Sequence, residues 1–198
     1  VYKALVRPWL EDGNVVWHPS FKGDQRALEN IQHRVTKMIP HLKNLDYVDR
    51  LRQLRLPSLY YRRARGDMIE CYKYVSGIYK VTGNLLTFDK DLKTRGHSKK
   101  LKKPRAKNTD TTRETLFSLR IVNAWNSLPE TVVSALSLNS FKARLDRVWS
   151  EHAYEESDKW YESPPTNVKC QIFPQNESDV QEDEISDDGN DRHKGVLA

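Results

Sequence analysis

The sequence predicts a mainly α-helical protein: a small helical region, then a basic extended ribbon, two further helices and an acidic, disordered C-terminal tail. Three observations predict it. Apolar residues recur at helical spacing in several segments, each bounded by a capping residue, Pro or Gly. Residues 93–107, KTRGHSKKLKKPRAK, carry eight positive charges in fifteen residues and no acid. The charge also changes sign along the chain, because residues 1–150 hold 29 Lys+Arg and 14 Asp+Glu whereas residues 151–198 hold 4 and 13. The expected divisions are therefore 1–80, helical; 81–150, basic ribbon and C-terminal helices; and 151–198, acidic tail.

From Asp24 to Ile39, the apolar set Leu28, Ile31, Val35, Met38 and Ile39 falls between about 120° and 220° on a helical wheel counted from Arg26. Arg26, His33, Arg34 and Lys37 fall between about −20° and 80°, so one face is expected to pack while the other is positive. That positive face is either an ordinary solvated surface or one that meets phosphate. Pro40 ends the helix, and Asp46 is expected to cap a short second helix through Tyr47, Val48, Leu51 and Leu54 before Leu56-Pro57 breaks it. Ser58 then caps a longer helix running to about Ser76, with Leu59, Ile69, Tyr72 and Val75 as core candidates and Gly77 as its stop. Arg62, Arg63 and Arg65 lie inside it. Three guanidiniums in four residues cannot all face one way, so each either pairs with a carboxylate such as Asp67 or Asp49 or contacts phosphate.

Residues 78–93 read as a loop, and the basic run follows them. Its lysines and arginines, Lys93, Arg95, Lys99, Lys100, Lys102, Lys103, Arg105 and Lys107, repel one another unless a polyanion is close. The alternation around Leu101 and Pro104 predicts an extended ribbon, and the same residues fit a nuclear localisation signal. Thr111 or Thr112 is expected to open a helix through Leu116, Phe117, Ile121 and Trp125 that Leu128-Pro129 closes. A last helix from about Asn139 to Trp149 carries Phe141, Leu145 and Val148 on one stripe. Phe117, Trp125 and Phe141 are expected in the core rather than stacked on bases. The tail, with Pro164-Pro165 and the run SDVQEDEISDDGND, has too little apolar surface to offset the entropy of ordering. Beside a basic body it either competes with an anionic partner or is simply solvated.

Several classes of function are excluded. Cys71 and Cys170 match no zinc or redox spacing, and no apolar run approaches the roughly 20 residues that span a bilayer. The expectation is an intracellular protein, nuclear and cytoplasmic, with no membrane partner. Asp187-Asp188 is the only adjacent pair of Asp, and it lies in the tail without flanking apolar strands, so no two-metal site is expected. The six histidines have no supporting ligand spacing, and His97 beside Ser98 lacks an acid partner. No catalytic residue, no metal ligand and no cofactor is expected in this chain, and its oligomeric state is not legible.

The ordered set Leu5-Val6-Arg7-Pro8, Leu28-Glu29 with Gln32 and Arg34, Arg50-Leu51, Leu56-Pro57-Ser58-Leu59, Tyr61-Arg62-Arg63, Arg95-Gly96-His97-Ser98, Trp125-Asn126-Ser127-Leu128-Pro129 and Ser137-Leu138-Asn139-Ser140-Phe141-Lys142 resembles a known family. The chain is similar, over about residues 1–149, to the thumb and C-terminal region of reverse transcriptases from non-LTR (LINE-type, jockey-like) retrotransposons. Asp12-Gly13 departs from the aromatic and small residue usual there. The resemblance implies a thumb-like helical region at 1–80 that grips RNA, DNA or an RNA–DNA hybrid through backbone contacts. It also implies that the catalytic palm, with its Asp pair and Mg, and the endonuclease lie upstream of Val1 in the same polyprotein, so that this chain alone is inactive. The residues expected to contact nucleic acid are Arg26, Arg34, Lys37, Arg62, Arg63, Arg65, Arg95, Lys99, Lys100, Lys102, Lys103, Arg105 and Lys107. The alternatives are a non-enzymatic nucleic-acid-binding or nuclear interaction protein derived from such an element, and a functionless translated relic.

Overall fold

In a computed structural model, residues 1–19, 21–80, 85–89, 96–103 and 116–156 are described. A π-helical turn (Tyr2–Val6) leads into α1 (Arg7–Glu11), followed by α2 (Asn14–Trp17), α3 (Lys22–Lys37), a 3-10 turn (Pro40–Leu42), α4 (Tyr47–Leu54) and α5 (Leu59–Val75). Beyond them lie α6 (Phe117–Ser127), α7 (Glu130–Val133), α8 (Leu138–Val148) and a 3-10 turn (Ser150–Tyr154). The protein is mainly α. Among the described residues the only β pairing is an isolated antiparallel bridge between Phe88 and Leu101. The described residues all belong to a unit spanning Val1–Val168; Lys169–Ala198 is a separate unit outside the described residues.

The helices α5 and α8 start where their capping serines dictate. Ser58 accepts a hydrogen bond from the Tyr61 amide (3.2 Å), and Ser137 does the same for Ser140 (3.1 Å), each satisfying one of the free N–H groups of a helix start. Gly77, at φ 71°, follows α5, and Leu128-Pro129 follows α6. Asp46 occupies the N-cap of α4, but its side chain makes no capping bond. The α4 helix closes instead on Arg55 in the left-handed region (φ 47°), with the Leu56 amide reaching back to the Leu51 carbonyl (2.9 Å).

The main core gathers around α5, α6 and α8. Met68, Cys71, Ile121, Trp125, Phe141 and Leu145 are all fully buried, and Tyr72 stacks on Phe141 with ring centroids 4.3 Å apart. Burying each such side chain contributes roughly 1.5–3 kcal/mol. Phe117, Trp125 and Phe141 are core residues, as expected. This core joins α5 to α6 and α8, so position 80 is not a packing boundary. Residues 151–156 also belong to the folded body rather than to the acidic tail. The Ala153 carbonyl accepts the Ser58 amide (2.9 Å), and Tyr154 packs on the smaller cluster of Tyr47, Leu51 and Leu56.

The α3 helix corrects the expectation drawn from its apolar stripe. Its buried residues are Gln25, Glu29, Gln32 and Thr36, while Ile31 and Met38 are exposed. The reason lies in what α3 meets. The start of α5 presents unpaired amides and the positive end of the helix dipole, which favour a carboxylate. Glu29 supplies it, accepting the Leu59 amide (3.0 Å) and the Tyr47 hydroxyl (2.5 Å). Gln32 donates to the Pro57 carbonyl (3.1 Å) and to Tyr47 (3.2 Å) and accepts from the Tyr2 hydroxyl (2.8 Å). Burial raises the pKa of Glu29, and the bonds from Tyr47 and the Leu59 amide oppose that rise.

Candidate nucleic-acid interface

Docking through Gln25, Glu29, Gln32 and Thr36 turns the remaining face of α3 outward. Arg26, Arg34 and Lys37 are exposed there, and among the described residues no carboxylate pairs with any of them. Eleven residues separate Arg26 from Lys37, about 16 Å along the helix axis. That length equals several phosphate spacings of a nucleic-acid strand, whose charges repeat at about 3.4 Å of axis.

The three arginines of α5 are engaged within the protein, the alternative to phosphate contact that the sequence left open. Arg62 forks onto Glu11, its Nε on one carboxylate oxygen and its Nη2 2.7 Å from the other. Arg65 forks onto Asp146 of α8 (2.5 and 2.8 Å), where the Tyr61 hydroxyl also donates (3.0 Å). Arg63 is buried, with its guanidinium over the Tyr60 ring (4.7 Å to the centroid). The planar fork suits carboxylate pairing, and these pairs tie α5 to α1 and α8. The carboxylates suggested by the sequence serve other arginines: Asp67 pairs with Arg120, and Asp49 with Arg52.

Part of the basic ribbon lies at 96–103, where Ser98 and Lys99 form a turn and the stretch around Leu101 is extended. Asp89 donates its amide to the Lys100 carbonyl (2.9 Å) and Lys102 donates to the Thr87 carbonyl (2.8 Å), an antiparallel pairing around the Phe88–Leu101 bridge. Leu101 is buried, so by the two-residue period Lys100 and Lys102 project to the opposite face. Lys102 and Lys103 are exposed and Lys99 is half-buried. Lys100 curls over Gly96, which sits at φ 135°, a backbone conformation that favours glycine; the lysine end that lies over it can swing aside. Arg95, Arg105 and Lys107 lie outside the described residues.

How this segment is fastened to α6 is not legible in the residue pattern. Asn126 accepts the Leu101 amide at Oδ1 and donates Nδ2 to the Leu101 carbonyl, both at 2.8 Å. Trp125 donates its indole N–H to the Lys99 carbonyl (2.8 Å). His97 is buried, its Nε2 2.9 Å from the Trp125 carbonyl and its Nδ1 accepting the Lys99 amide (3.2 Å), which makes the ring neutral with its proton on Nε2. Burial lowers its pKa, in keeping with that neutral form. The Ser98 amide and hydroxyl both donate to Glu130 (2.7 and 3.0 Å). His97 and Ser98 are thus anchors and not a nucleophile and its base.

A second feature is a cavity of about 320 Å³ lined in part by Asn14, Arg62, Arg63, Gly66 and Glu70. Among the described residues no group of His, Cys, Asp and Glu could hold a metal ion, and no helix is long and apolar enough to cross a membrane. No family model matches the chain, and neither a curated protein nor a solved structure matches it.

Proposed function

We propose that this chain is the thumb and C-terminal part of an RNA-directed DNA polymerase of the non-LTR retrotransposon kind, gripping template-primer nucleic acid through its phosphate backbone inside the cell. The observation that carries the reading is a division of labour among its cations. Arg62 and Arg65 are neutralised by carboxylates and Arg63 is buried, while Arg26, Arg34, Lys37, Lys99, Lys102 and Lys103 reach solvent with no carboxylate partner among the described residues. Exposed, unpaired cations are what contacts to a phosphate backbone require. Contacts of this type position a nucleic acid without reading its sequence, which suits a helical grip on any template. The ordered motif set over residues 1–149 supplies the polymerase context.

Two experiments test the proposal. Binding of the full chain to a labelled RNA–DNA hybrid is expected to weaken with salt, log K falling against log salt with a slope near −5 for about six contacts. Salt-insensitive or absent binding overturns the grip. Translating the transcript upstream of the Val1 codon tests the polymerase context: an in-frame palm with an adjacent Asp pair supports it. A stop or start codon there instead leaves a binding protein derived from such an element.

A further inference from the structure

We infer that Trp125 and Asn126 are positioning residues that hold residues 96–103, a turn at Ser98-Lys99 followed by an extended stretch around Leu101, in a preformed conformation, so that its lysines meet phosphate without an ordering step. This rests on the nucleic-acid reading above. Asn126 does for Leu101 what a neighbouring strand would do, taking both its amide and its carbonyl at 2.8 Å. The opposite edge is occupied by Thr87 and Asp89, through the Lys102 amide and the Lys100 carbonyl. Trp125 takes the Lys99 carbonyl, Glu130 the Ser98 amide and His97 the Lys99 amide. With these backbone groups engaged, the segment offers a partner its side chains and not a strand edge. The buried Leu101 sets Lys100 and Lys102 on the opposite face.

The anchoring matters because eight like charges in fifteen residues resist being held together. A loose segment would have to be ordered at the moment of binding, and that ordering subtracts from affinity. Trp125 is well suited to the task. Its ring is fully buried against Phe141, so its N–H is delivered to Lys99 from a fixed platform. Asn126 follows on the same helix turn, and its amide supplies one donor and one acceptor in one plane.

The test measures binding of the full chain to a labelled RNA–DNA hybrid across a salt series, for the unaltered protein, Asn126→Ala and Trp125→Phe, with amide hydrogen exchange at Leu101. Unaltered protein is expected to bind with the steep salt slope and a protected Leu101 amide. Asn126→Ala is expected to lose that protection, to bind roughly tenfold more weakly, about 1.4 kcal/mol, and to lower the salt slope by about 2. The slope counts phosphate contacts among folded molecules, so a merely structural loss of folded protein leaves it unchanged. Trp125→Phe keeps the ring in the core, removes only the donor to Lys99, and is expected to act in the same direction. Equal affinity and slope in both variants overturn the positioning role while leaving the nucleic-acid reading intact. Absence of binding by the unaltered protein overturns that reading and the role together. Should both variants fail to fold, the unaltered protein still decides: rapid exchange at Leu101 in the free chain overturns the preformed conformation, and slow exchange supports it.

Discussion

Arg120 on α6 grips Asp67 on α5 with two hydrogen bonds of 2.8 Å, and the paired side chains are only 8% and 0% exposed. The same guanidinium donates to the Val15 carbonyl (3.0 Å), so one residue joins α6, α5 and the first turn of α2. Removing one member of such a pair strands the other charge away from water. Arg120→Ala is expected to destabilise the protein by about 3–5 kcal/mol, read from the midpoint of urea unfolding. A shift under 1 kcal/mol would show that water reaches Asp67.

The exposed row on α3 and the paired arginines on α5 predict opposite phenotypes. Replacing Arg26, Arg34 and Lys37 together by Gln is expected to lower the salt slope of hybrid binding by about 2.7 at unchanged melting temperature. Arg65→Gln is expected to lower the melting temperature, because Asp146 loses its fork, while the slope stays the same. The reverse pattern would return the α5 arginines to the interface.

His18 provides a pH dependence. Burial and the charges of Arg120 and Arg63 hold its pKa down at about 3. A depressed folded pKa means that the unfolded chain takes up the proton first. Stability from this group is therefore whole above about pH 6.5 and is lost progressively as pH falls toward 3. His97 acts in the same direction. Thermal unfolding at pH 7 and pH 4.5 is expected to show a drop that His18→Gln reduces; an identical drop in the variant would place the cause elsewhere.

Arg55 closes α4 in a left-handed conformation that a side chain disfavours. Arg55→Gly removes that strain without touching the Leu56–Leu51 closure, and is expected to stabilise the fold by roughly 0.5–1 kcal/mol. Equal or lower stability on denaturant unfolding would mean that the Arg55 side chain contributes more than its conformation costs.

What was legible in the sequence was local. Ser58, Gly77 and Pro129 punctuate helices through bonds and dihedral limits spanning a few residues, and Trp125 and Phe141 announce a core by size and spacing. The period around Leu101 announced an extended segment. The α3 helix was legible as a helix but not in its orientation. Its apolar stripe suggested one docking face, whereas the amides at the start of α5 drew in Glu29 and rotated a polar stripe inward.

By itself, then, the sequence determined the helical class, the position of the basic segment and the split between a basic body and an acidic tail, because each depends on composition or on neighbours along the chain. Only the tertiary structure decided which cations are free. Arg62 meets a carboxylate 51 residues away, Arg65 one 81 away, and Leu101 finds Asn126 at a separation of 25. A charge or a peptide group is satisfied by whatever lies within about 3 Å, and packing, not sequence spacing, selects that partner.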